Sequence, residues 1–390
     1  MTKTPVILQT IKITGQEDLG TRRPMALRLY RRAARERARL SPRWVAPGAR
    51  LRAKRSELLS FVAYRPDPVP FRARLVREVR HPLFVQRFFR LRINPDDETE
   101  AVLYLPRGAS RRNPAPVLLG LHEHGGQYLL GKDKLCASPA LPRVFRAYQR
   151  NCYGGQPPAD FYASNGFAVF SIDQLGFGSR APWHLDEKTL GTTRRHRLTV
   201  AQELRIRLNM RYEHNWLHRA LLGCGVTEAE ISLHDNRRSL DFLEEVAEVD
   251  AGRIGAFGLS VGCMHCHHLA AFDARVRASA RVCWSGDFGA MIERDGPRGL
   301  GVHFLLPGIN AECHVPEFVA LSHPAPVLIL NGRHDPLYPY AAQEVCRREV
   351  RRLCRLQGDP ARVTWHEFDG PHCFHPPEQR VALEFFRRHL

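Results

Sequence analysis

Lysine is scarce in this chain. Only Lys3, Lys12, Lys54, Lys132, Lys134 and Lys188 occur among 58 basic residues, so the formal charge of +18 is carried almost wholly by arginine. So basic a balance raises the question of a polyanionic partner. No nucleic-acid-binding module accompanies the charge, however, and it is read as a solvated surface: arginine stems cover apolar surface while their heads stay wet. No run of about 18 apolar residues occurs, so no membrane span is expected. The first residues, Met1-Thr-Lys-Thr-Pro-Val-Ile-Leu, lack the charged region, apolar core and small-residue cleavage site of a secretory signal, which points to the cytoplasm. The ten cysteines are then expected as reduced thiols. Internal repeats and low-complexity tracts are also missing. The C-x-x-C-H spacing of Cys263-Met-His-Cys-His267, with His268 beside it, matches covalent haem attachment. It falls on a helix that must pack inside the fold, and no second cysteine pair at ligand spacing completes a zinc site. It is read as coincidence, and neither metal nor cofactor is expected.

What is present is an ordered set of apolar runs. From Pro24 to Leu40, Ala26, Leu29, Tyr30, Ala33 and Leu40 recur at near-helical spacing among arginines, predicting an amphipathic helix. Tyr64-Arg-Pro-Asp-Pro-Val-Pro70 reads as a linker. Leu83–Ile93 and Ala101–Leu105 flank the turn-forming Asn94-Pro-Asp-Asp-Glu and predict an antiparallel hairpin. After it, Pro116–Leu121, Phe167–Ile172, Ile254–Phe257, Ala278–Cys283 and Pro326–Leu330 are short apolar runs, most of them separated by helix-length segments. That alternation predicts parallel strands with crossover helices. One helix is expected over Glu228–Glu248, with Leu240, Leu243 and Val246 inward, followed by a polar turn over Glu248–Gly252. An insertion at about 181–225 carries a helical segment from Leu198 that could help to cap a site. The expected organisation is a basic N-terminal helical extension and linker (1–70) and an α/β catalytic domain (71–390).

The run Arg253-Ile-Gly-Ala-Phe-Gly-Leu-Ser-Val-Gly262 organises the rest. Gly258-Leu-Ser-Val-Gly262 has the G-x-S-x-G spacing of a nucleophile elbow, a strained strand-to-helix turn that exposes the serine hydroxyl. Its glycines are needed where a Cβ would strike the adjoining strand or helix. Ser260 is the candidate nucleophile. A serine hydroxyl needs a base, and the base needs a carboxylate to orient it. In α/β hydrolases these follow in the order Ser, Asp or Glu, His. Asp335 lies just past a buried strand and is assigned as the acid. His372, in a Gly-Pro loop after the last strand, is assigned as the base. Asp287 competes for the acid's role, and His366, His375 and His389 for the base's. The oxyanion donors are expected to be the N–H of Val261 and that of His124, in His122-Glu-His-Gly-Gly126, with Gly125 the alternative to His124. Asp173 and Arg180 bracket a glycine-rich loop as a possible buried pair, and Trp284 is either pocket or core.

His122-Glu-His-Gly-Gly-Gln127, Gly131-Lys132, Ile172-Asp-Gln-Leu-Gly-Phe-Gly-Ser-Arg180, Gly258–Gly262, Leu306-Pro-Gly308, Asn331-Gly-Arg-His-Asp-Pro336 and Gly370-Pro-His-Cys-Phe374 occur in this order. Together they resemble the acetyl xylan esterase and dienelactone-hydrolase-like branch of the α/β hydrolases over about Leu83–Leu390. The resemblance implies the α/β-hydrolase fold, with a mostly parallel central sheet covered by helices on both faces. It also implies a serine carboxylester hydrolase without cofactor, acting through an acyl-enzyme, with relatives that often take acetyl or other small esters of carbohydrates. Two positions depart from the family pattern. Glu123 stands where a glycine usually precedes the first oxyanion donor, and could bind substrate, tune a neighbour or pair with an arginine. Cys263 stands where a further glycine usually follows the elbow. The partner expected is a small-molecule ester; oligomeric state is open. The competing readings are an oligopeptidase-like amidase, whose propeller has no room before Pro116, and a non-catalytic binding protein with a basic N-terminal arm.

Overall fold

The computed structural model describes residues 23–137, 143–182, 200–294 and 305–390. Its centre is a sheet of β1 (Arg74–Arg80), β2 (Phe84–Arg92), β3 (Glu98–Pro106), β4 (Ala115–Leu121), β5 (Ala168–Ile172), β6 (Val249–Leu259), β7 (Val276–Val282), β8 (Val327–Gly332) and β9 (Val363–Phe368). The order is β1-β2-β3-β5-β4-β6-β7-β8-β9. Pairing is antiparallel from β1 to β3 and between β3 and β5, and parallel from β5 to β9. The hairpin β2–β3 and the alternating parallel strands are as the sequence predicts.

Successive side chains of a strand point to opposite faces, and in the central strands both sets are apolar, so both faces must be covered. Val102, Tyr104, Leu118, Val169, Phe257 and Leu259 pack on one side with Tyr162 of the helix Pro158–Ser164 and Phe386 of the helix Pro376–His389. Ala101, Leu103, Val117, Leu119, Phe170, Ile254 and Ala256 pack on the other with Leu240 and Leu243 of the helix Glu228–Glu244 and Leu269 of Val261–Phe272. In chain order the helices are α1 (Arg23–Trp44), α2 (Ala49–Ser60), α3 (Arg143–Tyr153), α4 (Pro158–Ser164), α5 (Val200–Gly223), α6 (Glu228–Glu244), α7 (Val261–Phe272), α8 (Phe288–Arg294), α9 (Pro307–Asn310), α10 (Val315–Leu321), α11 (Tyr340–Leu356) and α12 (Pro376–His389).

Several boundaries differ from expectation. Helix α6 begins at Glu228 behind a capping box formed by Thr227 and Glu230, but stops at Glu244 rather than Glu248. The expected polar turn at 248–252 falls almost wholly within β6, which starts at Val249. There the pairing to β4 jumps from Asp250 to Ile254, so a bulge absorbs the polar residues. Strand β1 was not predicted: it is an edge strand with Arg74, Arg77, Glu78 and Arg80 and with Leu75 and Val76 exposed, so no buried face imposes alternation. Helix α2 was not predicted either. Its buried stripe is Leu51, Lys54 and Leu58, with Lys54 held between Glu57 and Glu312. Of the insertion, α5 is described, while 183–199 lie outside the described residues, as do residues 1–22.

Helix α1 covers the predicted Pro24–Leu40 and continues to Trp44. Trp44, Val45, Leu51 and Leu58 share a buried cluster with Phe272 of α7, Phe318 of α10 and Leu353 of α11. Among the described residues no helix is long and apolar enough to cross a membrane.

Candidate active site

The strand β6 ends at Leu259 and α7 begins at Val261, leaving Ser260 alone in the turn with φ 57° and ψ −122°. A left-handed φ is uncommon outside glycine, and it is held by neighbours that leave no slack. A Cβ on Gly258 would stand 2.3 Å from the carbonyl carbon of Gly262, and one on Gly262 would stand 2.0 Å from the carbonyl oxygen of Leu121. Both glycines of the G-x-S-x-G run are therefore required by backbone contact. The same contact sets the start of α7 against the end of β4, where the loop His122–Gly126 begins. Ser260 N donates to Val282 O at 2.8 Å, which aligns the turn with the end of β7. Ser260 is 8% exposed.

Asp335 follows β8 and His372 follows β9, as the sequence places them. His372 Nδ1 is 2.7 Å from Asp335 Oδ2. The other carboxylate oxygen, Oδ1, accepts from Leu337 N at 2.8 Å and Tyr338 N at 3.1 Å. The carboxylate thus has fixed donors on both sides, and the ring of His372 also stacks on Tyr338 with centroids 6.1 Å apart. Cys283, the residue after β7, has φ 56°. Its thiol, an Asp335 oxygen and a His372 ring nitrogen all lie within 4.8 Å of one another. Since Leu259 is paired with Val282, Cys283 stands beside Ser260, and the Asp335–His372 pair is brought to the same carboxyl-terminal rim. His372 Nε2 is buried and makes no hydrogen bond among the described residues; the contact from base to nucleophile is commonly long before substrate arrives.

The rivals are otherwise engaged. Asp287 accepts from the hydroxyl of Tyr30 at 2.9 Å and from Ala290 N at 2.9 Å. His366 lies within β9, His375 Nε2 contacts Asn151 O at 2.9 Å, and His389 ends α12. Asp173 and Arg180 do not form the expected pair. Asp173 takes Lys132 Nζ at 3.2 Å, Lys132 N and Ser179, whereas Arg180 binds Asp97 at 2.7 Å and Asp235 at 2.8 Å. Trp284 is buried against Tyr338. The C-x-x-C-H cluster is enclosed: every residue of α7 is buried, and His267 Nδ1 contacts Arg281 at 2.8 Å.

Val261 is the first residue of α7, so its N–H is among those a helix cannot satisfy internally. The loop with His124 is fixed from below by Glu123 and by three residues that carried no expectation from the sequence, Tyr148, Tyr153 and Lys134. Glu123, 1% exposed, accepts from Tyr148 at 2.5 Å and from Tyr153, not from an arginine. Lys134 Nζ donates to the carbonyls of Glu123 at 2.5 Å and His124 at 3.0 Å. Burial lowers Lys134 to about 8. Burial also pushes His122 and His124 well below the usual histidine range, so both rings are neutral. His124 Nδ1 accepts from Gly126 N at 3.0 Å, which leaves the ring proton on Nε2. Gly125 has φ +54°, and a Cβ there would strike the Tyr148 hydroxyl.

No family model matches the chain. The protein named "Putative hydrolase YtaP" from Bacillus subtilis (strain 168) is 24% identical over 306 residues, spanning 78% of this chain and 88% of its own. Among solved structures, a "putative acetyl xylan esterase" from Bacteroides fragilis is similar with a TM-score of 0.59 and 14% identity, over 82% of this chain and 74% of that one. A glucuronoyl esterase from Solibacter usitatus is similar with a TM-score of 0.56 and 15% identity, over 86% of this chain and 91% of that one. With the strand order above, these likenesses assign the α/β-hydrolase fold.

Proposed function

We propose that this chain is a serine esterase that cleaves small-acyl, acetyl-type carboxylic esters through an acyl-enzyme. The observation that carries the proposal is the left-handed Ser260 between β6 and α7, on the same sheet rim as the closed Asp335–His372 pair. In this reading Ser260 Oγ attacks the ester carbonyl while His372 Nε2 takes its proton, and Asp335 holds the tautomer and stabilises the imidazolium. The N–H groups of Val261 and His124 receive the negative charge of the tetrahedral oxygen. As the intermediate collapses, His372 returns the proton to the departing alcohol. Water, deprotonated by the same ring, then attacks the acyl-enzyme and releases the acid and Ser260. No step needs a cofactor. The catalytic unit in this reading is 71–390, and two neighbours in fold are named as a putative acetyl xylan esterase and a glucuronoyl esterase, which supports an ester over an amide.

Labelling with a fluorophosphonate followed by peptide mapping tests the proposal. The expected result is one modified residue, Ser260, with labelling abolished in Ser260→Ala and strongly slowed in His372→Ala. Labelling that is unchanged in Ser260→Ala would overturn it.

A further inference from the structure

Helices α5 and α6 bring three ligand-bearing side chains to one point. His214 and His218 are four residues apart on α5, so their rings leave the same face of the helix. Glu228, the first residue of α6, meets them across the turn that joins the two helices. Its Oε2 lies 3.2 Å from His214 Nε2 and 3.2 Å from His218 Nε2, and His218 Nε2 lies 3.3 Å from His214 Nδ1. None of the three side chains is more than 4% exposed.

With one atom offered by each residue, the three ligand atoms lie within 4.8 Å of one another, and the two imidazole-to-carboxylate distances are those of donors around a common centre. Bonds of about 2.0–2.1 Å from zinc to imidazole nitrogen and carboxylate oxygen put tetrahedral neighbours roughly 3.3 Å apart. The space above the group is kept by Gly176, which has φ +85°; a Cβ there would stand 2.5 Å from His214 Nε2 and 3.8 Å from Glu228 Oε2.

We propose that His214, His218 and Glu228 form a binding site for a divalent d-block ion of the zinc class, clamped between α5 and α6. Two imidazoles with one carboxylate suit such an ion, whereas calcium and magnesium call for an oxygen cage. The set leaves further positions for water or another donor. The ring of His214 also packs against Tyr128 at 4.9 Å, Phe177 at 5.5 Å and His124 at 5.7 Å between centroids. A bound ion therefore braces α5 against the loop that carries His124. The site does not rest on the esterase proposal, and no hydrolytic step passes through it.

The test strips the full chain of metal with a chelator and titrates it with Co(II), then displaces the cobalt with Zn(II). One equivalent is expected, with visible d–d bands and without the thiolate charge-transfer absorption that cysteine ligation produces. Zn(II) is expected to raise the thermal midpoint of the wild type. In His218→Asn the affinity is expected to fall by more than about 100-fold, beyond what loss of an outer partner costs, and the zinc-dependent rise should vanish. Wild-type protein with no saturable binding, or with thiolate absorption, overturns the proposal without any need for the variant to fold. So does full binding in a folded His218→Asn, which would move the metal to the other cluster, Cys283, Asp335 and His372.

Discussion

Tyr153 donates its hydroxyl to Oε2 of Glu123 beneath the loop that carries His124. With Tyr148 on the other oxygen and Lys134 on the two backbone carbonyls, that contact gives a structural place to the carboxylate that departs from the expected pattern. Glu123 is a buried anchor, and the loop above it gains a fixed backbone rather than a charged side chain facing substrate.

Removing the carboxylate in Glu123→Ala leaves the buried Tyr153 hydroxyl without its acceptor, at about 1–3 kcal/mol, and the half-buried Tyr148 hydroxyl without its own at a smaller cost. Glu123→Gln keeps one acceptor oxygen and should lose less. Urea unfolding of the two variants measures the difference. Wild-type stability in Glu123→Ala together with a raised KM for esters would instead place Glu123 in contact with substrate.

Lys134 gives a pH dependence whose sign is unusual. Its pKa falls on folding from an ordinary value of 10.5 to about 8. Between these values the unfolded chain binds the proton and the folded chain has released it, so this residue's contribution to stability rises with pH through that window. Below about pH 8 both states carry the proton and the cost of the buried charge is fully present. Relative to Lys134→Met, the wild type should therefore gain stability from pH 8 to 10.5, by up to roughly 3 kcal/mol at about 1.4 kcal/mol per unit. A difference between the two proteins that stays constant over that range would contradict this account.

How much was legible in the sequence follows from which residues announce their own geometry. Ser260 and Asp335 follow the buried ends of β6 and β8, and His372 follows the more polar β9; a loop anchored at a strand end has few places to go, and the structure puts all three on one rim. The hairpin and the parallel strands were readable because both faces of each central strand are apolar. Asp173 and Arg180 were misjudged because closeness in sequence stood in for pairing, while their partners Lys132, Asp97 and Asp235 come from other parts of the chain. Glu123, Tyr148 and Tyr153 meet only through the packing of α3 under a loop. One signal was available: in a chain that uses arginine almost everywhere, Lys132 and Lys134 stand two residues apart, and both are buried with fixed partners. The pair His214 and His218 also carried a signal, the i,i+4 spacing, but Glu228 completes the group only after the turn has folded.

Gly262 tests whether the elbow is enforced by contact. Its Cα approaches Leu121 so closely that a Cβ would lie 2.0 Å from the carbonyl oxygen, and both partners are backbone. Gly262→Ala must displace β4 or α7, an overpacking cost of about 1–3 kcal/mol, and should slow fluorophosphonate labelling of Ser260. Gly223→Ala, at the end of α5 with open space around it, should leave both stability and labelling nearly unchanged. Equal behaviour of the two variants, read by thermal unfolding and labelling rate, would remove the steric argument.

The acid's identity is decided by exchanging two carboxylates for amides. Asp335 accepts from Leu337 N and Tyr338 N on one oxygen and faces His372 Nδ1 with the other, so Asp335→Asn preserves shape while removing the charge that balances an imidazolium. The expected loss in kcat for a short-chain nitrophenyl ester is about 10³–10⁴-fold, with a small change in unfolding midpoint. Asp287 instead holds Tyr30 and caps the chain before α8, so Asp287→Asn should change kcat by no more than a few-fold, its effect falling on stability by about 0.5–1.5 kcal/mol. Because both residues follow neighbouring strands of one parallel sheet, either could have supplied the carboxylate from sequence alone; a kcat collapse in Asp287→Asn with Asp335→Asn active would reassign the role and separate the hydrogen bond at His372 from the chemistry.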